Sequence, residues 1–126
     1  MNLQVIDGLP FVAVTVAFDG RELQIDNVLI DTGSAGTILA ADQLLKIGVE
    51  YAEDDEVHRI RGVGGVEFVF AKPIERLAVG ALHADRFNIE VGAMDYGFEI
   101  NGIIGVDFLT TVGAVIDMRN LQILPA

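Results

Sequence analysis

The chain has 126 residues, enough for one domain with a real core. Nineteen acidic against eight basic side chains give a formal net charge of −11, and the scattered lysines and arginines form no basic footprint for nucleic acid or an anionic membrane. Cysteine is absent, which excludes disulfides and thiolate metal sites and suits a reducing, cytoplasmic location.

Apolar residues make up 52% of the chain and the mean hydropathy is +0.47, high for a soluble protein of this size. They fall in short runs, none near the roughly 18 consecutive apolar residues that span a bilayer. The surplus is therefore assigned to a core or a subunit interface.

The N-terminal stretch MNLQVIDGLPFVAVTV has no basic leader and no small-residue cleavage site, so it reads as a first strand and not a signal peptide. Segment 11–18, FVAVTVAF, is β-branched and aromatic; Asp19 and Gly20 mark a hairpin turn, and RELQID at 21–26 alternates back. NVLI at 27–30 reads as a separate short buried strand ending at Asp31. Segment 41–48, ADQLLKIG, is predicted helical, with Asp42 near its start and Gly48 at its stop. The acidic stretch 49–60 has no EF-hand ligand pattern and reads as a solvated loop or hairpin.

Segment 58–70 has two alternating arms around a glycine-rich tip, the pattern of a β-hairpin. Segment 74–92 reads as two strands joined within 80–85. In 100–111 an apolar run is broken by two glycines and followed by a short helix; 113–126 reads as a final hairpin turning near Arg119 and Asn120. NLQVI at 2–6 echoes NLQIL at 120–124, and both look like edge strands that need partners. Residues 1–126 thus read as a single, mostly-β domain.

Several chemistries have little support. His58 and His83 lie far apart without metal-ligand spacing, there is no Gly-x-Ser-x-Gly elbow, and GVGG at 62–65 lacks the Lys-Ser/Thr of a phosphate loop. Asp31 remains. It ends an apolar run and is followed by Thr32, Gly33, Ser34, Ala35 and Gly36. Taken alone, Asp-Thr-Gly is an ordinary strand-ending turn.

Its surroundings change that. VLIDTGSAGTIL (28–39), IRGVGG (60–65), NGIIGVDFL (101–109) and AVIDMRNLQIL (114–124) occur in this order. Together they resemble the retropepsin-like aspartic proteases over nearly the whole chain. The likeness is strongest to short bacterial relatives and to the protease-like domain of eukaryotic DNA-damage-inducible ubiquitin-shuttle proteins.

The resemblance implies an all-β fold: a closed acid-protease barrel with one or two short helices, forming one lobe of a homodimer. It implies an endopeptidase acting on extended peptides, without cofactor or metal. Such an enzyme uses two carboxylates that share one proton, one taking a proton from water while the other protonates the peptide carbonyl; like charges this close cannot both ionise. Asp31 would be the catalytic carboxylate, and Thr32 would hydrogen-bond across the dyad to its symmetry mate. Gly33 would allow close backbone approach, and the Ser34 hydroxyl would donate to the carboxylate and shift the pH optimum toward acid. Gly62, Val63, Gly64 and Gly65 would form a flap over the substrate. Leu29 and Ile103 would line the cleft, with Ile104 and Gly105 packing beneath the catalytic loop.

Asp-Thr-Gly occurs once, and neither Asp107 nor Asp117 is followed by the glycine turn. The second carboxylate is therefore expected from a second copy of the chain. The chain departs from retroviral enzymes at Leu9, Ala35 and Val106, where those carry the charged residues of an ion-pair network, so dimerisation is expected to rest on apolar packing and terminal strands. A catalytically silent dimeric peptide-binding domain of the same fold is the alternative, and a β-barrel unrelated to proteases a third reading.

Overall fold

The computed structural model describes residues 1–62 and 65–126. Among these residues ten strands and two short α-helices follow one another as β1 Gln4–Ile6, β2 Leu9–Phe18, β3 Arg21–Ile30, β4 Ile38–Ala40, α1 Ala41–Leu44, β5 Val57–Gly62, β6 Gly65–Val79, β7 Leu82–Gly92, β8 Gly102–Ile104, α2 Val106–Val112, β9 Ala114–Asp117 and β10 Gln122–Pro125.

The local rules that build the first hairpins are simple. Asp19 and Gly20 both adopt positive φ, the backbone whose twist matches that of the flanking strands β2 and β3. Asp7 and Gly8 do the same between β1 and β2, so the N-terminal stretch is a hairpin and not the single first strand expected. The segment 21–30 is likewise one strand, not two. Asn27 takes φ 57° within it, and the β2–β3 register shifts between Val12 and Val14: a bulge bends the strand without ending it. The expected helix at 41–48 is α1 continued by a 3-10 turn, Leu45–Ile47. The expected 80–85 connection is tighter, since β6 runs to Val79 and β7 starts at Leu82.

The strands close into a barrel. The ring runs β2–β3–β8–β4–β7–β6, and β6 returns to β2 through Thr15↔Ala78, Val16↔Leu77 and Ala17↔Arg76. The short strand β8 lies parallel to β3, with Leu29 opposite Ile103 and Ile30 opposite Ile104, while β4 runs antiparallel to β8 and parallel to β7. Alternation places Val14, Val16, Ile25, Leu77, Ile89 and Ile104 in the main core, which α2 caps with Phe108, edge-on to Phe87 at 5.7 Å.

A second apolar cluster contains Phe11, Ile38, Ala40, Val69, Met94 and Ile100, and Leu29, Ile60, Tyr96 and Ile103 pack against it half-buried.

The echoing ends meet each other. Asn2 bridges Gln122, the Leu3 N–H donates to Leu121 O at 2.7 Å, and the Ile123 N–H donates to Met1 O at 2.9 Å. Part of the edge pairing expected from outside is thus met within one chain. The acidic stretch before β5 is a loop pinned by an ion pair at 2.7 Å between Lys72 and Asp55, both mostly buried. Among the described residues no helix is long and apolar enough to cross a membrane.

Candidate active site

Asp31 stands at the end of β3, where the parallel partner β8 also ends. Its N–H donates to Ile104 O at 2.9 Å, continuing the ladder one step beyond the strand. The chain then turns sharply: the Ser34 N–H donates to Asp31 O at 3.1 Å, and the Gly33 N–H donates to Asp31 Oδ1 at 2.9 Å. That last bond holds one carboxylate oxygen to the backbone of its own turn and leaves the half-exposed side chain in a defined orientation. Thr32 is exposed, and among the described residues its side chain makes no hydrogen bond.

The Ser34 hydroxyl does not make the bond to the Asp31 carboxylate that the sequence led us to expect. It donates instead to Gly36 O at 2.8 Å. It closes the loop on itself and offers Asp31 no stabilising proton.

The loop is clamped from behind by α2. The Val106 N–H donates to Ser34 O at 2.8 Å and the Asp107 N–H to Ala35 O at 3.3 Å, so N–H groups that a helix start leaves unpaired are used to hold the loop. Thr37, the one fully buried polar side chain among the described residues, sits between the two. Its hydroxyl donates to Asp107 Oδ1 at 2.7 Å and accepts the Gly105 N–H at 3.1 Å, while its own N–H donates to Asp107 Oδ2 at 3.2 Å. Gly105 is required by the closeness of this packing. A Cβ there would overlap the Gly36 carbonyl and stand 2.7 Å from Ser34 O.

The other predicted residues fall around this loop. Ile104 is fully buried in the main core, and its neighbour Ile103 is half-buried against the second cluster together with Leu29. Gly62 and Gly65 pair at the end of the β5–β6 ladder. Val63 and Gly64 lie outside the described residues.

Asp107 and Asp117 are both engaged away from Asp31. Asp107 serves Thr37 and also accepts the Phe108 N–H at 2.7 Å. Asp117 closes the β9–β10 turn; the Asn120 backbone N–H and then its amide side chain hold the Asp117 carboxyl below the usual carboxylate range. Reading the sequence missed the structural use of Thr37 and Asp107. An isolated Thr and an Asp many residues later carry no local sign that they meet.

A comparison with curated proteins yields no match. A family model described as aspartyl protease matches residues 14–108. That stretch takes in most of the barrel, the Asp31 loop, the β5–β6 hairpin and the Gly105 turn. The chain therefore belongs to the aspartyl protease family.

Proposed function

We propose that the protein is a retropepsin-like aspartic endopeptidase whose active site forms between two copies of the chain. The observation that carries this reading is the Asp31 loop. It presents a half-exposed carboxylate just beyond the strand pair that holds Leu29 opposite Ile103, oriented by the Gly33 N–H and braced by α2. One chain supplies one such carboxylate, because Asp107 and Asp117 are engaged elsewhere. A two-fold axis beside the loop would bring Asp31 of a second copy opposite the first, and the exposed Thr32 would bond across that axis.

The chemistry follows from a shared proton. The ionised carboxylate of the pair takes a proton from a water as its oxygen attacks the peptide carbonyl carbon, and the protonated one gives its proton to the carbonyl oxygen. Collapse of the tetrahedral diol returns a proton to the nitrogen as the C–N bond breaks. The half-buried Leu29, Ile60 and Ile103 favour apolar side chains around the scissile bond, with the β5–β6 hairpin as the covering element. Leu9 and Val106, exposed at 40% and 38%, offer apolar contact to a second copy where retroviral enzymes use ion pairs.

The test is digestion of a peptide library from about pH 3, below the ordinary value of an aspartate, to about pH 8. Cleavage that a statine-containing inhibitor blocks and Asp31→Asn abolishes supports the proposal. A confirmed dimer that binds extended peptides but cleaves none across that range overturns it in favour of a peptide-binding domain.

A further inference from the structure

The β5–β6 hairpin stands partly outside the barrel. The ladder between β6 and β7 begins at Phe70↔Val91, so among the described residues the part of β6 before Phe70 has only β5 as a ladder partner, and β5 is the outermost strand of its sheet. A two-stranded ribbon is marginally stable by itself. Its position must be set by side chains.

Glu67 lies in this projecting part, directly across the ladder from Ile60, so both side chains share the face that meets the second apolar cluster. A half-buried carboxylate in such surroundings needs hydrogen-bond donors. Among the described residues it has two, both from the segment that links β7 to β8. The Tyr96 hydroxyl donates to Glu67 Oε2 at 2.6 Å, and the Met94 N–H donates to Oε1 at 3.3 Å.

The backbone is shaped around this carboxylate. Met94, whose N–H meets Glu67, takes φ 57°, a left-handed conformation uncommon for a non-glycine residue. At Gly92 a Cβ would stand 2.7 Å from Glu67 Oε1 and 3.0 Å from Val69 Cγ1, so a side chain there would displace the Glu67 carboxylate from this position. Burial first, and then the bond to Glu67, push the Tyr96 hydroxyl up to about 12, so the donor keeps its proton at any working pH. The Tyr96 ring meanwhile packs on the same cluster as Leu29 and Ile103.

We infer that Glu67 and Tyr96 are positioning residues: the hydrogen bond between them sets where the β5–β6 hairpin stands relative to the apolar wall of Leu29, Ile60 and Ile103, and thereby how tightly an extended peptide is held. The substrate half of this statement rests on the peptidase reading above; the placement of the hairpin does not. A bond at 2.9 Å between His58 Nδ1 and Glu90 Oε1 ties the β5 arm to β7 nearer the barrel, which leaves Glu67 as the outer of the two ties.

The experiment uses the full chain with Tyr96→Phe, which removes only the hydroxyl, Glu67→Leu, which removes both acceptors, and Glu67→Gln, which keeps one. Hydrogen exchange of the unliganded protein is read at the amides of β5 and of residues 66–69. Tyr96→Phe and Glu67→Leu are expected to speed exchange there by about fivefold or more, with the barrel amides unchanged and Glu67→Gln intermediate. For an apolar-site peptide, KM rises about three- to tenfold in Tyr96→Phe while kcat stays within about twofold. Unchanged hairpin exchange in both Tyr96→Phe and Glu67→Leu overturns the inference, as does a kcat loss at constant KM. If the wild-type chain cleaves nothing, the peptidase reading and the substrate half fall, and the exchange measurement still decides the placement of the hairpin.

Discussion

The Thr37 hydroxyl donates to Asp107 Oδ1 at 2.7 Å and accepts the Gly105 N–H at 3.1 Å, joining the loop after Asp31 to the start of α2 across the whole middle of the chain. Thr37 and Gly105 are buried, so the Thr37 hydroxyl and the Gly105 N–H have no water to fall back on. Thr37→Val keeps the shape and removes the hydroxyl, leaving the Gly105 N–H without its acceptor. It should cost about 2–4 kcal/mol in chemical denaturation, against less than about 1 kcal/mol for Thr37→Ser, which keeps the hydroxyl. Equal losses for the two variants would show that the hydroxyl is not what matters.

Gly105→Ala tests the same joint through shape. The added methyl overlaps the Gly36 carbonyl, a backbone atom that cannot rotate away as a side-chain tip can. Relieving the overlap requires the Asp31 loop and α2 to separate, so stability should fall by about 3 kcal/mol or more and peptide cleavage should be lost even where the protein still folds. Near-wild-type stability measured by denaturation would contradict this packing.

Ser34 separates two views of the loop. Were its hydroxyl bonded to Asp31, Ser34→Ala would move the pH profile of cleavage toward neutral. Because the hydroxyl donates to Gly36 O, the variant should leave the profile within about half a pH unit of the wild type and lower stability by about 0.5–1.5 kcal/mol. A clear alkaline shift of the profile would place the hydroxyl on the carboxylate after all.

The Asp55–Lys72 pair sets an acid dependence of stability. The hydrogen bond from Lys72 and then that from the Ala52 N–H hold the Asp55 carboxyl below its ordinary value of 3.8. A depressed folded value means the stabilisation is present above the unfolded value and is lost as pH falls through the folded one. Lys72→Met should therefore lower Tm at about pH 6, and the gap to the wild type should shrink as pH drops below about 4. A gap that persists unchanged into strong acid would assign the effect to packing of the lysine stem.

Much of this was legible in the sequence, and the parts that were not share a cause. The Asp19–Gly20 hairpin, α2 and the β9–β10 hairpin follow from turn residues and periodicity within a few positions. Asn27 misled because a polar residue inside a strand reads as a break, whereas a bulge absorbs it. Asp7 and Gly8 carried the same turn signal as Asp19 and Gly20, but the flanking β1 is only three residues long. In the site, Asp31 and Gly33 announce themselves as neighbours. Thr37 with Asp107 and Glu67 with Tyr96 are pairs made by barrel closure, and the spacing of each along the chain says nothing of the contact. The direction of the Ser34 hydroxyl is a local choice between two acceptors, which residue type alone does not decide.

The most direct measurement is the rate of peptide cleavage when a fixed amount of wild-type chain is mixed and re-equilibrated with increasing Asp31→Asn chain. If each active site needs one Asp31 from each of two copies, the rate falls in step with the conversion of wild-type dimers into mixed ones and approaches zero at large excess. A rate that stays constant as the Asp31→Asn chain is added would mean that one chain carries a complete site, and would contradict the shared dyad.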